Sequence, residues 1–294
     1  VSTGLPPIIE FSNVISSFVV SHYSDDRSPL HAAIRYCLGG AGKKVRANLA
    51  MLVCQSYRQP SNRAFRAAAA VEMIHAYSLA HDDLPCMDDD DMRRGRPSLH
   101  RAFDEATALL AGDAILTDAF RVLADEAFFL PAQILPVPDR LRQVTELARA
   151  AGGQGMVLGQ SMDMAWTGRT GYDRPVLDAI HAGKTGALLG AACAMGAISA
   201  GADASDVARW RECGILTGLA FQAVDDTLDA CAGTGKSLGK DQAQGKLTYL
   251  TLFDRQAVLR FAEESTEKAM ALIPTSCEKD PMVEFLRGLI HRKK

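Results

Sequence analysis

The chain lacks paired cysteines. Its seven thiols, Cys37, Cys54, Cys86, Cys193, Cys213, Cys231 and Cys277, are odd in number and form no Cys-x-x-Cys. That argues against a disulfide framework or a zinc ribbon. Reduced thiols in a cytoplasmic protein are the expectation. A strong charge imbalance is also missing: the net charge is -3 and the pI about 6.2. Nothing global favours nucleic acid or an anionic membrane, so any anion site must be a local basic cluster. No uncharged apolar run is long enough to span a bilayer. Residues Val1 to Pro6 lack the basic-then-apolar pattern of a signal peptide. There is no His-Glu-x-x-His, no Gly-x-Ser-x-Gly and no dinucleotide fingerprint after a strand.

Strand-like alternation is nearly absent as well, and helical spacing recurs instead. Alanine-rich stretches favour helix by propensity over Ala64–Asp83, about Asp104–Leu130, Leu141–Trp166, Pro175–Ala200, Ala204–Cys231 and Gln256–Leu272. Several are apolar almost all round, as helices inside a large bundle are. Turn residues cluster at 39–42, 131–138, 168–171, 201–203 and 233–235, and none of these breaks reads as a long linker. The expectation is one all-α domain over residues 1–294.

Against that apolar background stand two aspartate clusters, one from Asp82 to Asp91 and one at Asp225, Asp226 and Asp229. Pro85 disfavours helix at Leu84, so the first helix should stop near Asp83. Carboxylates at a helix C-terminus face a like-signed dipole, and their own repulsion adds to it. Bound cations would reverse that electrostatics, and magnesium prefers a few carboxylates with phosphate oxygens and water. A solvated acidic loop paired with Arg93, Arg94 and Arg96 is the plainer alternative. In the second cluster Asp225 and Asp229 share one helix face, after the apolar run Leu219 to Val224. Charges left unpaired there would be costly, which again favours metal.

Cations lie nearby in sequence. Gly42-Lys43-Lys44-Val45-Arg46 follows a glycine cluster at an expected helix start, a favourable place for an anion. Arg93 and Arg94 follow the first aspartates, and Lys236, Lys240 and Lys246 the second. Lys184 interrupts an otherwise apolar helix. Gly233-Thr234-Gly235-Lys236-Ser237 is not a nucleotide loop: Ala230 replaces the first glycine, and a helix precedes it where a strand is required.

Together these residues resemble the trans-type isoprenyl diphosphate synthases. The resemblance covers most of the chain. It rests on Glu72 through Pro97, on Leu110 to Thr117, on Gly159-Gln160-Ser161-Met162-Asp163, on Lys184 to Leu188, and on Phe221-Gln222 through Asp229. The first aspartate motif is the longer form, with four residues between the pair and the next aspartate. The family implies an isoprenoid-synthase-type bundle of long helices around a central cavity, usually a homodimer. It implies condensation of isopentenyl diphosphate with an allylic diphosphate, using three magnesium ions.

By that resemblance Asp82 and Asp88 would ligate two magnesium ions and Asp225 the third, with Asp229 supporting. Arg93, Lys184 and Lys240 would hold the allylic diphosphate. Lys43, Arg46, His75 and Arg94 would hold isopentenyl diphosphate. Thr185 and Gln222 would line the path of the carbocation. Tyr77 and Ser78, five and four residues before Asp82, would set chain length. Tyrosine there, with the longer motif, resembles bacterial farnesyl diphosphate synthases; a geranylgeranyl product is the alternative, and a class I terpene cyclase a more distant one. Ala47 and Leu250 depart from the family, standing where proline is common.

Overall fold

The computed structural model describes residues 7–40, 42–129, 133–229 and 247–291. The expected all-α architecture is what it has. α1 (Pro7–His22), α2 (Pro29–Leu38) and α3 (Val45–Ser56) lead to α4 (Phe65–Asp82), which carries the first aspartates. A two-residue hairpin, β1 (Met92–Arg93) antiparallel to β2 (Arg96–Pro97), is the one sheet among the described residues. α5 (Leu99–Ala102), α6 (Glu105–Ala124), α7 (Val137–Ala151) and α8 (Met156–Trp166) follow. α9 (Arg174–His181) leads through a π-helical turn, Ala182–Gly186, into α10 (Ala187–Ala200). α11 (Ala204–Asp229) carries the second aspartates, and α12 (Arg255–Ala271) and α13 (Asp280–Ile290) close the chain. Among the described residues no helix is long and apolar enough to cross a membrane.

α10 is the central post. Every residue from Leu188 to Ser199 is buried, and it packs against α3, α4, α7 and α11. That explains its lack of a polar face: a helix surrounded on all sides has no solvent side to signal. Helix starts follow from capping aspartates. Asp104 accepts from Thr107 N, Asp173 from Val176 N and Asp254 from Ala257 N.

Two expected segments differ. Leu141–Trp166 is two helices rather than one, because Gly152, Gly153 and Gly155 interrupt it. Lys184 lies in the π-helical turn rather than in a regular helix. Such single-turn expansions are frequent at functional sites. Gly159 of α8 permits this one, since a Cβ there would lie 2.1 Å from Lys184 N. The far end of α6 is fastened by Arg66. It is buried and donates to the carbonyls of Val122 and Asp125 at the end of the helix, which lack internal partners there, and to those of Glu126 and Phe129 in the segment that follows.

Candidate active site

The last turn of α4 presents Asp82 and Asp83 in succession. α4 ends where Pro85 required, with Asp83 at its C-cap. The following loop folds back, Asp88 N donating to Asp82 O at 2.8 Å and Asp90 N to Asp83 O at 3.2 Å. This carries Asp88 toward Asp82. Burial pushes the Asp82 carboxyl up to about 6; Lys184 opposes the rise and Asp88 adds to it. Lys184 therefore lies within electrostatic reach of the first cluster, as grouping the two around one ligand requires.

Asp83 has a different environment. It is only 2% exposed and grips Arg93, whose Nε donates at 2.9 Å and whose Nη2 also pairs with it. Arg93 reaches Asp90 as well, at 3.3 Å. The part expected of Arg93 on a diphosphate is thus narrowed: its Nε and Nη2 already serve carboxylates of the protein. Asp89 and Asp91 of the first aspartate cluster meet His100, one ligand atom each within 4.8 Å of one another; His100 is the member that the sequence did not point to. Arg101 pairs with Asp91 at 2.5 Å and Ser98 with His100 Nδ1 at 3.1 Å, so this group anchors the hairpin.

α11 carries the second aspartate pair. Asp225 is half-buried, and its charge is felt at Arg46, on the first turn of α3. Asp226, one residue on, is 6% exposed and accepts Tyr249 N at 2.7 Å and Gln222 Nε2 at 3.1 Å. Thr185 donates to Gln222 Oε1 at 3.2 Å. Lys184 Nζ pairs with Asp163 of α8 at 2.6 Å. Asp163 stands in a motif that the sequence singled out, yet the partner it serves became visible only in three dimensions. Asp229 ends α11, and Lys240 lies outside the described residues.

The basic side is built on unusual backbone. Lys44 and Arg94 are both non-glycine residues in the left-handed region, at φ 45° and 53°. Such conformations cost about 1–3 kcal/mol each and cluster at ligand clamps. Gly42 lets Arg94 close in, since a Cβ there would sit 2.6 Å from its Nη1. Arg46 Nε is buried with no hydrogen-bond partner among the described residues. Burial lowers the Arg46 pKa, countered by Glu72 and deepened by Arg94. His75 is held well below its usual range by burial, then by Arg46, Arg94 and Arg93. Three guanidinium groups around one neutral imidazole, with an orphaned N–H among them, have the donor chemistry of an oxyanion site. A cavity of about 140 Å³ opens here, bounded by Gly42, Lys44, His75, Arg94, Cys37 and Met73. Lys43, on the same loop, is exposed.

Tyr77 is 6% exposed, with its ring 5.6 Å from that of His81. His81 in turn lies over Gly112 and approaches Leu109 O at 3.1 Å, so Tyr77 is on the side of α4 toward α6. Five residues of helix put it roughly 7.5 Å along the axis from Asp82. Ser78 is half-buried and its hydroxyl donates to His75 O at 3.0 Å.

A model of the polyprenyl synthetase family matches residues 27–282. The chain belongs to the polyprenyl synthetase family. It is a trans-prenyltransferase with an all-α isoprenoid-synthase fold. It is 42% identical over 240 residues to geranylgeranyl pyrophosphate synthase 7 of Arabidopsis thaliana, covering 80% of this chain and 67% of that one. Against the geranylgeranyl pyrophosphate synthase of Capsicum annuum it is 40% identical, covering 82% and 64%. Among solved structures, an FPP/GFPP synthase from Zymomonas mobilis superimposes with a TM-score of 0.83 at 32% identity, covering 96% and 97%. A Helicobacter pylori geranyltransferase, solved with magnesium and isoprenyl diphosphate, gives 0.77 at 27%, covering 99% and 98%.

Proposed function

We propose that this chain condenses isopentenyl diphosphate with an allylic diphosphate, releasing inorganic diphosphate. The observation carrying this reading is a cluster of unlike charges. Asp88 and Lys184 act on the buried Asp82 carboxyl, and Asp225 acts on Arg46. Arg46, Arg94 and Arg93 in turn act on His75, which lines a cavity with Arg94, and Arg46 keeps a buried guanidinium N–H without a partner among the described residues. A terpene cyclase has no use for that basic group.

The donor set fits magnesium. Asp82, Asp88 and Asp225, with Asp229 supporting, are hard oxygen ligands at a place where carboxylates otherwise repel. Magnesium bound there would neutralise the diphosphate as it departs. The three-ion count remains part of this proposal. Lys184, Lys240 and, less directly, Arg93 steady the allylic diphosphate. Lys43, Arg46, Arg94 and His75 hold the second substrate, with His75 neutral and therefore able to accept as well as donate. The allylic carbon–oxygen bond breaks and its electron pair leaves with diphosphate. The isopentenyl alkene supplies the pair that forms the new bond. The tertiary cation then loses a proton to the released diphosphate. Proximity sets the rate of the joining step, and a water-poor cavity protects the cation.

On chain length the relatives and one residue pull apart. The curated relatives, named geranylgeranyl pyrophosphate synthases, favour a twenty-carbon product, and we adopt that reading. Tyr77 favours fifteen carbons, as a buried ring about a turn and a half below Asp82. A magnesium-dependent assay with isopentenyl diphosphate and each allylic starter, resolving products by length, decides between them. Twenty carbons from the wild type would remove Tyr77 as the floor. Fifteen carbons, lengthened by Tyr77→Ala, would restore it. No condensation would sink the whole reading. A homodimer belongs to the same proposal, supported by Leu109, Leu110, Val137 and Leu141 exposed on α6 and α7.

A further inference from the structure

By the family resemblance Thr185 and Gln222 line the path of the carbocation, and the hydrogen bond between them has a direction that a neighbour can set. A primary amide can sit either way round, presenting oxygen or nitrogen to a neighbour. Here the choice is forced. Asp226 is a carboxylate and can only accept, and it lies 3.1 Å from Gln222 at one end of the amide. The nitrogen must therefore face Asp226. The amide oxygen is left for Thr185, whose hydroxyl donates to it at 3.2 Å. With its one proton committed, Thr185 can offer only lone pairs to anything beyond. Asp226 is itself fixed by Tyr249 N at 2.7 Å, a backbone donor that also requires an acceptor. The chain of bonds thus starts at a backbone amide, which cannot turn round, and ends at a hydroxyl oxygen stripped of its free proton.

We propose that Asp226 is a positioning residue that sets the direction of the Gln222–Thr185 hydrogen bond, so that oxygen lone pairs face the forming carbocation. The inference rests on the condensation reading given above. An inward hydroxyl proton would oppose developing positive charge; an inward lone pair stabilises it where it forms.

The test is Asp226→Asn. The substituted side chain can still accept from Tyr249 N through its one oxygen, which leaves its NH₂ facing Gln222. Gln222 must then turn round, present NH₂ to Thr185, and free the Thr185 proton. We expect kcat to fall about 10²-fold, the magnitude typical of one misplaced electrostatic group, with KM for both substrates and the thermal midpoint near wild type. The decisive arm is the cycle with Thr185→Val. Once the hydroxyl is gone its direction no longer matters, so Asp226→Asn should cost almost nothing further in that background. Thr185→Ser should keep most of the activity. Should Asp226→Asn fail to fold, Gln222→Met removes the acceptor and frees the Thr185 proton; its loss in kcat should be smaller in the Thr185→Val background than in the wild type, and an equal loss in both would overturn the inference.

Wild-type kcat in Asp226→Asn would overturn the inference. So would losses that multiply independently with Thr185→Val, since that is the behaviour of a purely structural residue. If the wild-type chain itself fails to condense the two diphosphates, the functional reading falls first. If only the variants misbehave, this inference falls alone.

Discussion

The two aspartate pairs, Asp82-Asp83 on α4 and Asp225-Asp226 on α11, are alike in sequence and divided in the same way by the fold. The leading residue of each, Asp82 or Asp225, is half-buried within reach of cations across the site. The second is turned into the protein, Asp83 onto Arg93 and Asp226 onto Tyr249 N and Gln222. Neighbouring residues on a helix point about 100° apart, so two adjacent carboxylates meet different surroundings. The duplication therefore supplies one residue for the ligand and one for the frame. The pairs then diverge. Asp83 locks a loop and hairpin, whereas Asp226 locks an amide that reaches Thr185.

The largest effect should come from the leading residues. Asp82→Ala or Asp225→Ala should lower turnover by about 10³-fold with the fold intact, measured in magnesium-dependent steady state. Near-normal turnover in either would erase the distinction within its pair. Asp83→Ala should act on stability instead, because it removes the carboxylate that holds Arg93 Nε and leaves Asp90 as the ion-pair partner, with Asp82 in electrostatic reach. We expect a loss of about 3 kcal/mol in denaturant unfolding. A stable Asp83→Ala that is simply inactive would mean that Asp83 belongs to the ligand.

A smaller, pH-dependent effect lies behind the second pair. His181 is buried beside Tyr249, and burial lowers its pKa from 6.5 to about 4. Unfolding lets it take a proton at pH values where the folded state refuses one. Its contribution is therefore fully present above 6.5 and is lost as pH falls toward 4. At pH 5 the loss should be about 2 kcal/mol relative to neutral pH, and His181→Gln should flatten that part of the stability curve. An unchanged acid limb would mean that His181 titrates normally in the folded protein.

Much of this was legible in the sequence, for identifiable reasons. Pro85 fixed the end of α4, and alanine-rich apolar runs fixed the buried helices. Which member of each aspartate pair turns inward was not legible, because adjacent identical residues give periodicity nothing to distinguish. The partners that decide it, Arg93 and Tyr249, lie 10 and 23 residues away. The glycines at 152, 153 and 155 are the sequence signal that divides α7 from α8, set within a run of alanine that favours helix on both sides. The π-helical turn at Lys184 had no local signal, and the backbone in close approach to it, at Gly159, belongs to another helix. Asp163 was visible within its motif, while its service to Lys184 depends on that same approach.

The division within the aspartate pairs is tested most directly by calorimetric titration of magnesium together with inorganic diphosphate. The proteins to compare are the wild type, Asp82→Asn and Asp83→Asn. The account predicts that Asp82→Asn loses measurable binding, while folded Asp83→Asn keeps an affinity close to wild type. Equal loss in both, with both proteins folded, would contradict it.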